Sequence, residues 1–178
     1  MGLLKQNAAL RYYHIYLHTM AKPSLLLIDA LRKAATQLSN NKPYEWGHMG
    51  NCNCGHLAQV LLNVSKAEIH RHAMARPGDW SEQLNDYCPT SGLEMDRLMF
   101  GLFEKGLDTT DLQQLEYLSN KAVLQRLGVS ALRHNDRAHV VSYMRTWADI
   151  LEEQLLETLP LPVAQPDERP LSIGVINS

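Results

Sequence analysis

The chain has 178 residues, a formal net charge of −2 and 45% apolar residues, enough for one domain with a sizeable core and too apolar for global disorder. The near-neutral balance, with no basic stripe, excludes a general pull toward nucleic acid or an anionic membrane surface. Three cysteines do not suit a disulfide framework, and no run approaches the roughly 18 uninterrupted apolar residues of a membrane span, so the expected setting is reducing and cytoplasmic.

Residues 1–22 read as an N-terminal extension. Arg11, His14 and His18 interrupt any signal-peptide core, and Gln6 stands where a myristoylation motif needs Ser or Thr. "MAKPSLLLIDAL" from Met20 reads as a capped helix opening, which makes 1–19 an upstream, non-native extension. His14 and His18, at i,i+4, are read as surface residues of it.

Residues 23–159 carry a helical pattern almost throughout. Ser24 opens a helix with Leu27, Leu31, Ala34, Ala35 and Leu38 at spacings of three and four. "NNKPYEWGHMGN" is a loop. A second helix is expected from about Cys54 to Met74, ended by Arg76-Pro77-Gly78-Asp79. "WSEQLNDYC" is a short helix stopped by Pro89. Thr90 or Ser91 caps "GLEMDRLMFGLFEKG", with Gly106 at C′. "TTDLQQLEYLS" and "NKAVLQRLG" follow, the first with Leu112, Leu115 and Leu118 on one side. Asn135 or Asp136 caps the last helix, where Val140, Val141, Met144, Trp147, Ala148, Leu151 and Leu155 form a stripe for the core or for a homodimer interface. Pro160, Pro162, Pro166 and Pro170 mark 160–178 as an extended tail. The expected fold is all-α: an irregular bundle of about five to seven helices with a Gly/Cys-rich loop and a Pro-rich tail.

One segment rises above that architecture, "WGHMGNCNCGHLAQVLL" from Trp46 to Leu62. With Asn53 as N-cap, Cys54 falls at N1, where unpaired N–H groups and the helix dipole lower a thiol pKa. Gly47, Gly50 and Gly55 permit tight folding or close approach to a ligand.

A metal site is one reading. Thiolate and imidazole suit zinc or another transition metal, and His48, Cys52, Cys54 and His56 spell H-x3-C-x-C-x-H. Two features oppose it: C-x-C is short for a zinc knuckle, and on a helix His56 lies roughly 200° round the axis from Cys54. Cys88 is then the candidate fourth donor. Redox thiols are the second reading, since a low-pKa Cys beside a resolving Cys is the profile of a sensor. A papain-like nucleophile is rejected: the order of Gly and Cys differs, no aromatic follows, and no β-domain is present to carry the histidine. The third reading has the cysteines only packing the loop of a helical interaction or structural module.

Glu45, Trp46 and Met49 are candidate pocket-lining residues for a small-molecule or protein partner. Glu68 falls within the apolar face of the 54–74 helix and His72 at its edge. Their i,i+4 spacing makes them additional candidates, although a partly exposed contact near the helix end is the better reading. His70 is expected at the back of that helix, in solvent. No strand precedes the glycines, and no nucleotide fingerprint is present.

Overall fold

The computed structural model describes residues 21–159. All but Ala21 and Lys22 of the expected 1–22 extension, and the 160–178 tail, lie outside these residues. Among the described residues the chain is all-helical: α1 (Leu25–Ser39), α2 (Asn53–Leu62), α3 (Lys66–Ala73), α4 (Trp80–Asn85), α5 (Glu94–Glu104), α6 (Thr109–Tyr117), α7 (Lys121–Leu127) and α8 (Arg137–Glu157), with no strand. None of these helices is long and apolar enough to cross a membrane.

The framework is an antiparallel pair, α1 against α8. Ser24 Oγ accepts from the Leu27 N–H and starts α1. Asp136 accepts from Ala138 and His139 N–H and starts α8. Arg32 meets Asp149 and Glu152 at 2.8 and 2.7 Å, Arg145 meets Ser39 at 3.1 Å, and Arg137 meets Asn41 at 3.2 Å, which fixes the register. Half-exposed ion pairs of this kind contribute at most about 1 kcal/mol each. A fully buried Leu contributes about 1.5–3 kcal/mol, so the pairing rests on burial. Leu27, Leu31, Ala34 and Leu38 are buried on α1, and Val140, Met144, Trp147 and Leu151 on α8. The α8 stripe is therefore core and is not available as a dimer interface.

The remaining helices are short and held by caps. The helix expected over 54–74 is two helices. Asn63 ends α2 in the left-handed conformation (φ 53°), and Ser65 and Glu68 form a capping box that starts α3. Ser-x-x-Glu is a start signal, and it outweighs the apolar run across it. Asp79 and Glu82 form a second capping box at α4. Arg76, mostly buried, bonds Asp96 of α5 at 2.7 Å and the Gln83 carbonyl of α4 at 2.6 Å, tying the end of α3 to both. Ser91 is not the N-cap of α5. That position is Leu93, while Ser91 accepts from the Leu93 N–H and donates to Asp96 at 2.5 Å. Gly106 takes the C′ role expected of it, at φ +95°, and its carbonyl accepts from Lys22 N–H at 2.7 Å.

Candidate functional site

The 44–52 loop is a folded knot. Glu45 N–H donates to Asn51 O, His48 N–H to Glu45 O, and both Asn51 and Cys52 N–H to His48 O. Two glycines in it are required by contact. A Cβ on Gly50 would stand 2.3 Å from the Lys66 carbonyl oxygen, and one on Gly55 would stand 2.3 Å from that of Met49. The knot is pinned from outside by Trp80, whose Nε1–H donates to Met49 O at 2.9 Å, and by Gln59, whose amide donates to Gly50 O at 2.6 Å.

Here the start of α2 meets the end of α6. Each terminus leaves main-chain groups without helical partners, and each supplies a side chain to the other. Asn53, fully buried, donates from Nδ2 to the carbonyls of Glu116 (2.7 Å), Leu115 (3.2 Å) and His134 (3.3 Å). Tyr44 donates its hydroxyl to His134 O at 2.6 Å and lies 2.9 Å from Asn53 Oδ1. In return Glu116, 1% exposed, brings Oε2 to 3.4 Å from the Cys54 N–H. Leu118 closes α6 in the left-handed region (φ 52°).

The N-cap of α2 is Cys52, and Asn53 is its first residue, one position earlier than expected. Cys52 is 1% exposed and Cys54 0%. Their thiols lie on main-chain carbonyls, Cys52 Sγ 3.5 Å from Met49 O and Cys54 Sγ 3.1 Å from Leu112 O. The expected lowering of the Cys54 pKa is overturned. Burial, and then the Glu116 carboxyl, push both thiols well above the ordinary range. The site makes an inert thiol of a residue that the helix N-terminus alone would activate.

The other expected donors face elsewhere. His56 is buried, with Nε2 3.0 Å from Pro43 O and its ring stacked on Tyr44. A carbonyl only accepts, so Nε2 holds the proton, and burial lowers the pKa to about 4. His48 stacks on His70 at 4.4 Å between ring centroids and accepts the Gly50 N–H at Nδ1. His70 is thus half-buried against the loop, not out in solvent as expected. Cys88 is exposed beside Thr90 at 3.4 Å. Glu68 is occupied as a helix cap, and Glu68 and His72 are partly exposed. Among the described residues no group of three or more His, Cys, Asp or Glu is disposed to hold a metal ion. Of the expected zinc donors, Cys52 and Cys54 lie together against Glu116, while His56 is engaged by Pro43 O and His48 by the Gly50 N–H and the His70 ring.

Of the pocket-lining candidates, Met49 is buried, Glu45 is exposed, and Trp46 packs among His134 (4.4 Å) and Tyr117 (6.3 Å). Sequence reasoning missed Asn53 as a clamp, Trp80 as a pin, and Glu116. The signal for Glu116 was its i+4 spacing from Leu112, which puts a carboxylate on an apolar face where it needs an explanation. Compared with protein-family models, with curated proteins and with solved structures, the chain gives no match.

Replacing Gly50 or Gly55 by Ala forces a Cβ into a main-chain oxygen and is expected to cost about 3 kcal/mol or more, the upper end for overpacking. Gly47→Ala meets no atom within 4 Å and bears only the strain of φ +95°, expected at about 1–2 kcal/mol. Urea denaturation of the three variants checks the order. Equal losses would contradict the knot.

Proposed function

We propose that this chain is a helical interaction module in which the 46–56 loop is a packing device and not a reaction centre. The observation that carries this reading is the burial of both loop thiols against main-chain carbonyls. Three free cysteines support a reducing, cytoplasmic setting, and the net charge of −2 supports a partner other than nucleic acid. Zinc or another transition metal on Cys52, Cys54, His48 and His56 is the competing reading, and the separate partners of His48 and His56 count against it.

The partner proposed is a second copy of the chain. The antiparallel register brings the start of α1 to the end of α8, and Leu25, Leu26, Leu156 and Leu159 are 68%, 53%, 60% and 55% exposed there. An apolar end of this kind marks an interaction surface, and a two-fold pairing is the commonest way to cover one.

Thiol titration tests the first part. Native protein is expected to show one fast thiol, Cys88, with Cys52 and Cys54 reacting only on unfolding and indifferent to chelator. Release of two thiols by chelator, with stoichiometric metal in the untreated protein, would establish the metal reading instead. Three fast native thiols would favour redox chemistry. Sedimentation equilibrium tests the partner. A dimer that Leu25→Glu and Leu156→Glu convert to monomer is expected, and a wild-type monomer at all concentrations would refute self-association.

A further inference from the structure

The α1–α8 pair has a second end, opposite its exposed leucines. There Arg145 and Arg137 of α8 reach the end of α1, at Ser39 Oγ (3.1 Å) and Asn41 Oδ1 (3.2 Å), and Lys42 Nζ lies 2.9 Å from Gln37 Oε1. All three acceptors are neutral. Arg32, Arg76, Arg97, Arg126 and Arg133 each meet a carboxylate, whereas among the described residues Arg137, Arg145 and Lys42 meet none. We propose that this end is a docking face for an acidic segment of a partner protein, whose carboxylates take the free donors of Arg137, Arg145 and Lys42.

Two structural roles do not account for these charges. Cations near a helix C-terminus usually complement its free carbonyls. Here the carbonyls of Thr36, Gln37 and Leu38 already accept main-chain N–H groups, from Asn40, Lys42 and Asn41. The cations bond side chains instead. The register of α1 on α8 needs donors at these positions, which a neutral amide also supplies. Burial, and then the neighbouring Lys66, lower the pKa of Lys42, so a further cation stands at this end.

The hydrogen bonds order the side chains and leave most of their donors free. A guanidinium has five N–H donors and an ammonium three, and each spends one here. Donors already ordered bind an anion with less loss of side-chain freedom. Arg145 is exposed and Arg137 partly so, and they stand about 12 Å apart along α8. Ala138 and Ser142 lie between them, exposed and small, so a chain can approach closely. An extended strand covers that distance in about four residues and turns alternate side chains to one face, which sets two carboxylates over the two arginines. Nucleic acid suits this end less well, because its bases need aromatic faces to stack on. His56, the ring that faces Lys42 and Arg137, is buried and stacked on Tyr44. The net charge of −2 does not cancel the attraction, since salt confines the field of each charge to about 10 Å at 0.1 M.

This face is separate from the leucine end, so the proposal goes beyond self-association and fails independently of it. Its test is the fluorescence anisotropy of a labelled hexaglutamate peptide titrated with the full chain, at low salt and at about 0.5 M salt. The peptide is expected to bind at low salt and to be released at high salt, and hexaglutamine is expected not to bind. Arg137→Gln and Arg145→Gln should each weaken binding by about two- to fivefold and keep the urea midpoint of wild type. Arg97→Gln removes the same charge elsewhere and should leave the affinity unchanged. Should either arginine variant fail to fold, Ser142→Glu sets a carboxylate beside Arg145 and should weaken binding by occupying it. No binding at low salt, or equal losses in Arg97→Gln and Arg145→Gln, would overturn the docking face. Tighter binding of a single-stranded RNA of the same charge, weakened by the same variants, would assign the face to nucleic acid and overturn an acidic protein partner. Sedimentation of Arg137→Gln should match wild type, and a changed oligomeric state would show that the face joins copies of this chain instead.

Discussion

Two helix ends complete one another at the centre of this molecule. The start of α2 has amide protons to place and the end of α6 has carbonyls to place, and Asn53, Cys54, Leu115 and Glu116, which carry them, are buried. Asn53 reaches across to the carbonyls of Leu115 and Glu116, and Glu116 reaches back to the Cys54 amide. A buried main-chain group left unpaired costs about 1–3 kcal/mol, so this exchange governs how closely the helices can approach. The 44–52 knot, the glycines that let it close, the Trp80 pin and the turn holding His134 are all arranged around it. Residues far apart in sequence thereby become one cooperative unit.

The same constraint decides the chemistry of the cysteines. A helix N-terminus favours a thiolate by about 0.3–1 kcal/mol when exposed. Full burial can move a pKa by as much as about 3–5 units, at about 1.4 kcal/mol per unit. Desolvation therefore wins by a wide margin, and the carboxyl of Glu116 adds to it. The segment that looks most reactive in the sequence is among the least accessible parts of the fold. Its cysteines act as small apolar groups that can also donate to a carbonyl, a combination that neither Ala nor Ser supplies in the same volume.

How much of this was legible depends on the range of each interaction. The α1 and α8 stripes are local patterns of period 3.6, and both helices stand where periodicity placed them. The break at Asn63–Ser65 was also local, written in Ser65 and Glu68, but an apolar run of matching period concealed it. The loop could be singled out from its composition. Its role could not, because the role is set by partners 62 and 63 residues away, as in the contacts of Asn53 with Leu115 and Glu116. The sequence leaves Gly50 and Gly55 open between tight folding and close approach to a ligand, and the backbones they admit are those of Lys66 and of the loop itself. The mistaken thiol activation has the same origin: a helix start can be read from sequence, whereas its burial depends on the rest of the chain.

Native-state hydrogen exchange at pH 6 bears most directly on the claim that the α2–α6 junction holds the fold together. If it does, the amides of Cys52, Cys54 and His56 exchange only through global unfolding, with a free energy equal to that from denaturant unfolding and the same denaturant dependence. Exchange of these amides through a local opening of much lower free energy, insensitive to denaturant while α1 and α8 stay protected, would show the junction to be an accessory loop on an independently stable helix pair.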